Sequence, residues 1–283
     1  MSLKITAAEF TLIRNFIAEE SGIYLAEDKT YLLENRLAGI VHEEGCISYF
    51  EFYMKLKASR HGRLVGAMIN AITTNETYWF RELRAFRILR EYLLPKFYCE
   101  LQDGKRKQIR IWCAACSTGQ EPYSIAMTIL DFFRPYGGDK ACQEQIRILA
   151  TDISEMAVSM AQRGVYDKSQ MSRGLPEEYW PRYFKKNSDQ WQVSDSVRQL
   201  VEVRHHNLRN SLNDGSTFDL IFLRNVIIYF SDSFKQDLFR RLCRLMAPGG
   251  YLFLGNGENL NVYSNAFEAV ETQGVIYYQV KGH

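Results

Sequence analysis

At 283 residues, 46% hydrophobic and 24% charged, the chain is long enough to bury a sizeable core in one large domain or two modest ones. A formal net charge of +2 gives no case for a nucleic-acid binder. Apolar runs are strand-length and bounded by charges or turn residues, and the N-terminus lacks a basic, apolar, small-residue leader, so neither membrane insertion nor secretion is expected and the expected localisation is cytoplasmic.

Residues 3 to about 70 carry apolar residues at helical spacing in FTLIRNFIAEESGIYL, KTYLLENRLAGIV and SYFEFYMKLKA, punctuated by Gly22, Gly45 and Gly62. Short connections of this kind predict a small antiparallel helical bundle. Lys55, Lys57, Arg60, His61 and Arg63 cluster at the end of the last of these helices, either as a solvated face or as a docking surface for an acidic partner. A domain boundary is placed near Ile72, giving a helical domain over 1–72 and a second domain over 73–283.

The second domain opens on a polar cluster, TTNET, followed by another helix that should stop near Pro95. If Thr74 or Asn75 caps that helix, Thr77 and Arg81 share a face, where Arg81 either grips a carboxylate through a forked pair of bonds or is a plain surface charge.

From Ile109 the pattern becomes strands alternating with helices, which predicts a mostly parallel sheet covered on both faces. IRIWCAACSTGQEPYS, Ile109 to Ser124, reads as a buried strand, a small-residue turn and a helix start. Only Gly119 stands where a pyrophosphate-binding turn needs three glycines, so a dinucleotide is disfavoured. Gln120 and Glu121 put an amide and a carboxylate at the helix mouth, suited to a cationic amino group or a hydroxyl. S-adenosylmethionine offers both and carries no phosphate. The next strand, ILATDIS, ends in Asp152, positioned to hold ribose hydroxyls, to cap the following helix, or to do both.

Cys113 and Cys116 form C-x-x-C, read either as a redox or metal pair or as small side chains packing at a strand end; the other four cysteines show no disulfide framework, and no metal site is expected. Residues 165–200 form a polar, aromatic insertion with two short strand-like runs, too long for an ordinary connection. FDLIFLRNVIIYF places Arg224 and Asn225 at a strand's carboxyl end and Tyr229 about one turn later, where it either donates a hydrogen bond to a substrate or packs as a core aromatic. The segment AFEAVETQGVIYYQV predicts a hairpin about Thr272 to Gly274 that adds antiparallel edge strands.

Taken together, TTNETYWFRE, CAACSTGQEPYSIA, ATDIS, the NL of HHNL, FLRNVIIYF and APGGYLFLGNGENL, in that order, resemble the CheR-type chemoreceptor glutamate methyltransferases over nearly the whole length. The resemblance implies an N-terminal helical domain that docks the receptor. It implies also a class I, Rossmann-like α/β domain for S-adenosylmethionine, carrying a small antiparallel β-subdomain, with S-adenosylhomocysteine as product. The partner implied is the cytoplasmic helical bundle of a methyl-accepting chemoreceptor, in chemosensory adaptation. Asn75, Thr77 and Arg81 would line the cofactor pocket from the linker, Glu121 and Asp152 would bind the amino-acid and ribose portions, and Asn207 and Leu208 would flank the adenine. Arg224 and Asn225 would close the site beneath the sulfonium, while Arg81 and Tyr229 would act near the transferred methyl group.

The chain departs from that family at two places. Gly255, Asn256, Gly257 and Glu258 stand where the family reads G-H-S-E, and KKNSDQWQVSDS lacks the glycine-rich loop of members that bind a receptor's C-terminal pentapeptide, which predicts a pentapeptide-independent enzyme. The alternatives are a methyltransferase of another substrate class or a non-catalytic nucleotide-sensing module. The aromatic and proline signature of base methylation is absent after the FDLIFL strand, and intact Arg81, Glu121, Asp152, Asn225 and Tyr229 argue against the sensing module.

Overall fold

A computed structural model describes residues 3–59, 62–213, 215 and 217–281. Four helices open the chain: α1 (Ala7–Ser21), α2 (Thr30–Glu43), α3 (Tyr49–Ala58) and α4 (Arg63–Ile72). Thr6 and Glu9 close a capping box on α1, and the second oxygen of Glu9 accepts the N–H of Phe50 at 2.9 Å, tying α1 to the start of α3. Phe10, Ile13 and Phe16 meet Leu33, Leu37, Phe52 and Met68 in a core of their own. The basic cluster is not at the domain's last helix as expected from sequence. It straddles the end of α3 and the start of α4, because Gly62 opens a further amphipathic helix; Arg60 and His61 lie outside the described residues.

Arg36 of α2 donates to the carbonyls of Ile72, at 2.5 Å, and Thr73, at 3.0 Å, and so fixes the point where the chain leaves the bundle. The next stretch is not the capped helix the polar cluster suggests. Residues 73–83 are extended and turned, with Phe80 and Glu82 at φ 52 and 58°, and the helix starts only at α5 (Arg84–Ile88). The competing force is burial of Trp79, fully enclosed against Tyr166 and Phe184, its indole N–H donating to the carbonyl of Gln170 at 3.1 Å. Nor does the helix stop at Pro95. A π-helical turn over Leu89–Leu93 precedes α6 (Leu94–Gln102), so the proline falls in a first helical turn, where its missing N–H costs little.

Ten strands follow among the described residues: β1 (Ile109–Ala114), β2 (Ile146–Asp152), β3 (Val165–Asp167), β4 (Phe184–Asn187), β5 (Gln190–Val193), β6 (Val201–His205), β7 (Phe218–Leu223), β8 (Met246–Leu254), β9 (Phe267–Thr272) and β10 (Val275–Val280). The main sheet runs β6-β2-β1-β7-β8-β10-β9, parallel as far as β8 and antiparallel beyond. Left-handed Gln273 and Gly274 make the two-residue turn between β9 and β10. Strand order reverses between β1 and β7, which opens a crevice at their carboxyl ends. The 165–200 insertion holds a separate antiparallel sheet, β3-β5-β4, with three strands where two were expected. Asp131, on α7 (Gln120–Phe133), anchors it by accepting the hydroxyls of Tyr179 and Tyr183 at 2.7 and 2.6 Å.

Candidate active site

A cavity of about 1110 Å³, its open mouth included, lies at the crevice, and all ten residues singled out from the sequence line it: Asn75, Thr77, Arg81, Glu121, Asp152, Asn207, Leu208, Arg224, Asn225 and Tyr229. Its floor is the carboxyl edge of the sheet. Its roof is apolar and comes from the helical domain and linker through Ile23, Leu25, Leu32 and Ile72. Ile23 bridges to Phe230 and the N–H of Tyr24 donates to the carbonyl of Tyr229 at 2.8 Å, so roof and floor meet through backbone bonds beside Tyr229.

Asp152 ends β2 and is 6% exposed. Its carboxylate accepts the N–H groups of Ser117, at 2.8 Å, and Ser154, at 2.9 Å, which locks the turn after β1 to the end of β2; the helix cap beyond is Ser154. Burial pushes the Asp152 carboxyl up from its ordinary range and the two amides offset part of that. Gly119 caps α7 at φ 99°, where a Cβ would stand 2.8 Å from the Tyr166 hydroxyl and 3.0 Å from Ala161, so no other residue delivers the helix to this turn.

Glu121, in the first turn of α7, accepts from Arg224 at 2.5 Å and from the thiol of Cys113 at 3.0 Å. Burial, then the adjoining Glu121 carboxylate, pushes the Cys113 thiol well up, so it serves as a hydrogen-bond donor rather than a nucleophile. Cys116 is likewise buried, and all six cysteines are free. Among the described residues no cluster of His, Cys, Asp or Glu could hold a metal ion.

Arg224 has no exposed side-chain surface. Besides Glu121 it donates to Glu82 at 2.9 Å and to the carbonyl of Arg81, so its charge is consumed within the wall. Glu82 also accepts from the Asn225 amide, at 3.1 Å, and the Asn256 N–H, at 3.0 Å. Burial works to raise Glu82, but the bonds from Asn225 and Arg224 outweigh it and hold the carboxyl below its usual value. Glu258 accepts the N–H groups of Gly255, Asn225 and Ile227 at 2.7, 2.8 and 3.0 Å, pinning Asn225 in a left-handed conformation at φ 57°. A Cβ on Gly255 would stand 2.7 Å from the Asn225 nitrogen, which explains the glycine.

Sequence reasoning passed over Glu82 and Glu258 as site residues, although both lie inside the motifs it singled out. The residues standing for histidine and serine at 256 and 257 leave the acid that follows them in place. Five of the seven left-handed non-glycine residues among those described, Phe80, Glu82, Ala115, Ser117 and Asn225, line or flank this cavity; strain of roughly 1–3 kcal/mol each persists only where surrounding bonds over-determine the backbone.

Asn207 donates its amide to the carbonyl of Glu20 at 2.6 Å, tying the sheet edge to the end of α1, and Leu208 is buried beside it. Nε2 of His206 is buried at this wall without a partner among the described residues. Arg81 donates to the carbonyl of Glu76 at 2.8 Å and lies over the Tyr78 ring. Tyr229 is half-buried and packs against the apolar cluster that holds Ile227 and Phe230. No helix among the described residues is long and apolar enough to cross a membrane.

A doubly wound sheet with one acid at the end of β2 and another in the first turn of the helix after β1, a single-glycine turn and a cavity sized for a nucleoside is the fold and site of an S-adenosylmethionine-dependent methyltransferase. Residues 8–73 match the all-alpha domain, and residues 75–276 the SAM binding domain, of the CheR methyltransferases. The chain is 38% identical over 274 residues to the chemotaxis protein methyltransferase Cher2 of Pseudomonas putida, covering 96% of this chain and 98% of that one. It is also 38% identical to chemotaxis protein methyltransferase 1 of Pseudomonas aeruginosa, over 97% of this chain and 98% of that one. With the chemotaxis protein methyltransferase of Vibrio parahaemolyticus the figure is again 38%, over 99% of each. The chain belongs to the CheR family of S-adenosylmethionine-dependent chemotaxis protein methyltransferases.

Proposed function

We propose that this protein converts glutamate side chains on the cytoplasmic helical bundle of a chemoreceptor to methyl esters, in the cytoplasm, with S-adenosylhomocysteine as the second product. The observation that carries the reading is the pairing, in one cavity, of two buried-edge carboxylates, Glu121 and Asp152, with Arg81 and the Tyr229 side chain. Bound there, S-adenosylmethionine supplies an electrophilic methyl on a sulfonium. Asp152 suits ribose hydroxyls, Glu121 suits an ammonium group, and the unpartnered Nε2 of His206 leaves the wall a polar atom for a heterocycle. Asn75, Thr77, Asn207, Leu208 and Asn225 complete that enclosure, and Arg224 orients Glu121.

A glutamate with a pKa of about 4.3 is ionised at neutral pH, so the chain needs no general base. Its task is to hold a carboxylate in line, a role we assign to Arg81 and Tyr229, which both line the cavity. A single-point contact from each suits this chemistry, because a forked grip would quench the nucleophile.

Calorimetric titration of S-adenosylmethionine and S-adenosylhomocysteine, followed by a methyl-transfer assay on a chemoreceptor's purified cytoplasmic domain, tests the reading. Micromolar binding with base-labile label on glutamate supports it. Binding without transfer to any receptor would remove the acceptor, and no binding by a folded sample would remove the cofactor site. We further propose that docking is independent of a C-terminal pentapeptide, since β4 and β5 are joined by only Ser188 and Asp189. Micromolar binding of such a peptide would overturn this.

A further inference from the structure

Arg84, Arg87 and Arg90 are exposed at intervals of three along α5 and the π-helical turn after it. Arg90 lies near enough to Tyr179 to act on its hydroxyl, but none of the three makes a hydrogen bond or ion pair among the described residues. Other arginines are committed: Arg106 to Glu100, Arg173 to Glu76, Arg182 to Asp131 and Arg241 to Asp237. The basic cluster near α3 is partly neutralised too, since Lys55 donates to the carbonyl of Glu44 and Arg63 pairs with its carboxylate.

The ladder starts three residues from Arg81, which lines the cavity. At about 1.5 Å per residue the three positions span roughly 9 Å of helix. Its first turn begins two residues after Glu82, which is clamped to Arg224 and Asn225, so the start of the ladder is fixed relative to the cavity wall. Leu83, 55% exposed between the clamp and the ladder, adds an apolar foothold. Like charges spaced on a helix repel one another, and an anionic partner relieves that.

We infer that Arg84, Arg87 and Arg90 form a docking track for the acidic flank of the acceptor's helix, on the side of the glutamate that enters the cavity. This rests on the glutamate-acceptor reading above, which supplies an anionic partner; charge complementarity and chain continuity with the cavity-lining Arg81 then favour the acceptor over any other polyanion.

The test compares the wild-type chain with R84E/R87E/R90E and R84K/R87K/R90K, by methyl transfer to a chemoreceptor's purified cytoplasmic domain across a sodium chloride series. The charge-reversed variant should raise KM for the acceptor about tenfold or more, with kcat and calorimetric S-adenosylmethionine affinity unchanged. Its salt dependence should flatten, while the lysine variant stays near wild type. An unchanged KM in the charge-reversed variant, beside an active wild type, overturns the track. So does loss of binding to phosphatidylglycerol vesicles with KM unchanged, which would assign the ladder to membranes. Should the triple variant fail to bind cofactor, R87E alone carries the same comparison. A wild type that binds cofactor but methylates no receptor fails the acceptor reading itself, and the track with it.

Discussion

The floor and the roof of the cavity are built on opposite principles. Along the floor, Glu121 and Asp152, with Glu82 and Glu258 behind the lining residues Arg224 and Asn225, are bound by Arg224, a thiol and backbone amides, and several residues between them are left-handed. Across the roof, Ile23, Leu25, Leu32 and Ile72 offer only apolar surface, backed by the helical core. A charged wall works only when each group has its partner, because an orphaned buried charge is expensive, whereas an apolar wall tolerates any side chain of similar volume. The floor should therefore fail abruptly when one residue changes and the roof by degrees.

The largest break is expected at Arg224. Arg224→Ala leaves Glu82 and Glu121 facing each other across a buried gap and should cost roughly 3–5 kcal/mol of stability, read by thermal unfolding. Cofactor binding should vanish with it; a stable variant that still binds would show that the two acids do not depend on their common partner. Asp152→Ala comes next. Losing a charge-assisted acceptor at about 1.5–3 kcal/mol should weaken S-adenosylmethionine binding by about a hundredfold in calorimetry, and equal affinity would remove Asp152 from the site.

The same contrast explains how much could be read from the sequence. Floor residues are set by short-range geometry, so they cluster in strings such as STGQEP and FLRNVIIYF whose residue types are chemically constrained, and all ten site residues line one cavity. Glu82 and Glu258 escaped notice because an acid that ligates backbone amides looks the same in sequence as a solvated one. Roof residues carry no chemistry, so Ile23 and Leu32 read only as helix-bundle apolar positions. The linker misled for a related reason: local propensity favours a capped helix after Ile72, but burial of Trp79 against β3 and β4 wins and keeps residues 73–83 extended. Pro95 misled because a π-turn is a tertiary accommodation with no local signature.

Smaller effects sharpen the comparison. Tyr229→Phe should lower turnover by about ten- to a hundredfold while leaving cofactor affinity within twofold, since the proposed function gives the hydroxyl the acceptor and not the nucleoside to position. Unchanged turnover would take Tyr229 out of the reaction. Leu32→Ala, on the roof, removes apolar cover worth roughly 1–2 kcal/mol, so affinity for S-adenosylmethionine should fall about tenfold with the acceptor KM unaltered. An effect as large as that of Asp152→Ala would mean that the roof, too, recognises specific atoms.

The gentlest test is pH, which acts on the floor alone. Glu82 is held below the usual carboxylate value of 4.5 in the folded chain by Asn225 and Arg224, despite the opposing effect of burial. A depressed folded pKa contributes stability that is complete above the unfolded value and is lost as pH falls through the folded one. The clamp that joins Glu82 to Asn225 and Arg224 should therefore be intact at neutral pH and loosen only in acid below about pH 4.5. Glu82→Gln keeps the shape but not the charge. It should bring the wild type's acid loss of cofactor binding up to neutral pH as a constant deficit, and flatten the acid limb of the binding curve. If the acid limb survives in Glu82→Gln, Asp152, whose carboxyl burial pushes up from its ordinary range, sets it, and the clamp is maintained by shape rather than by charge.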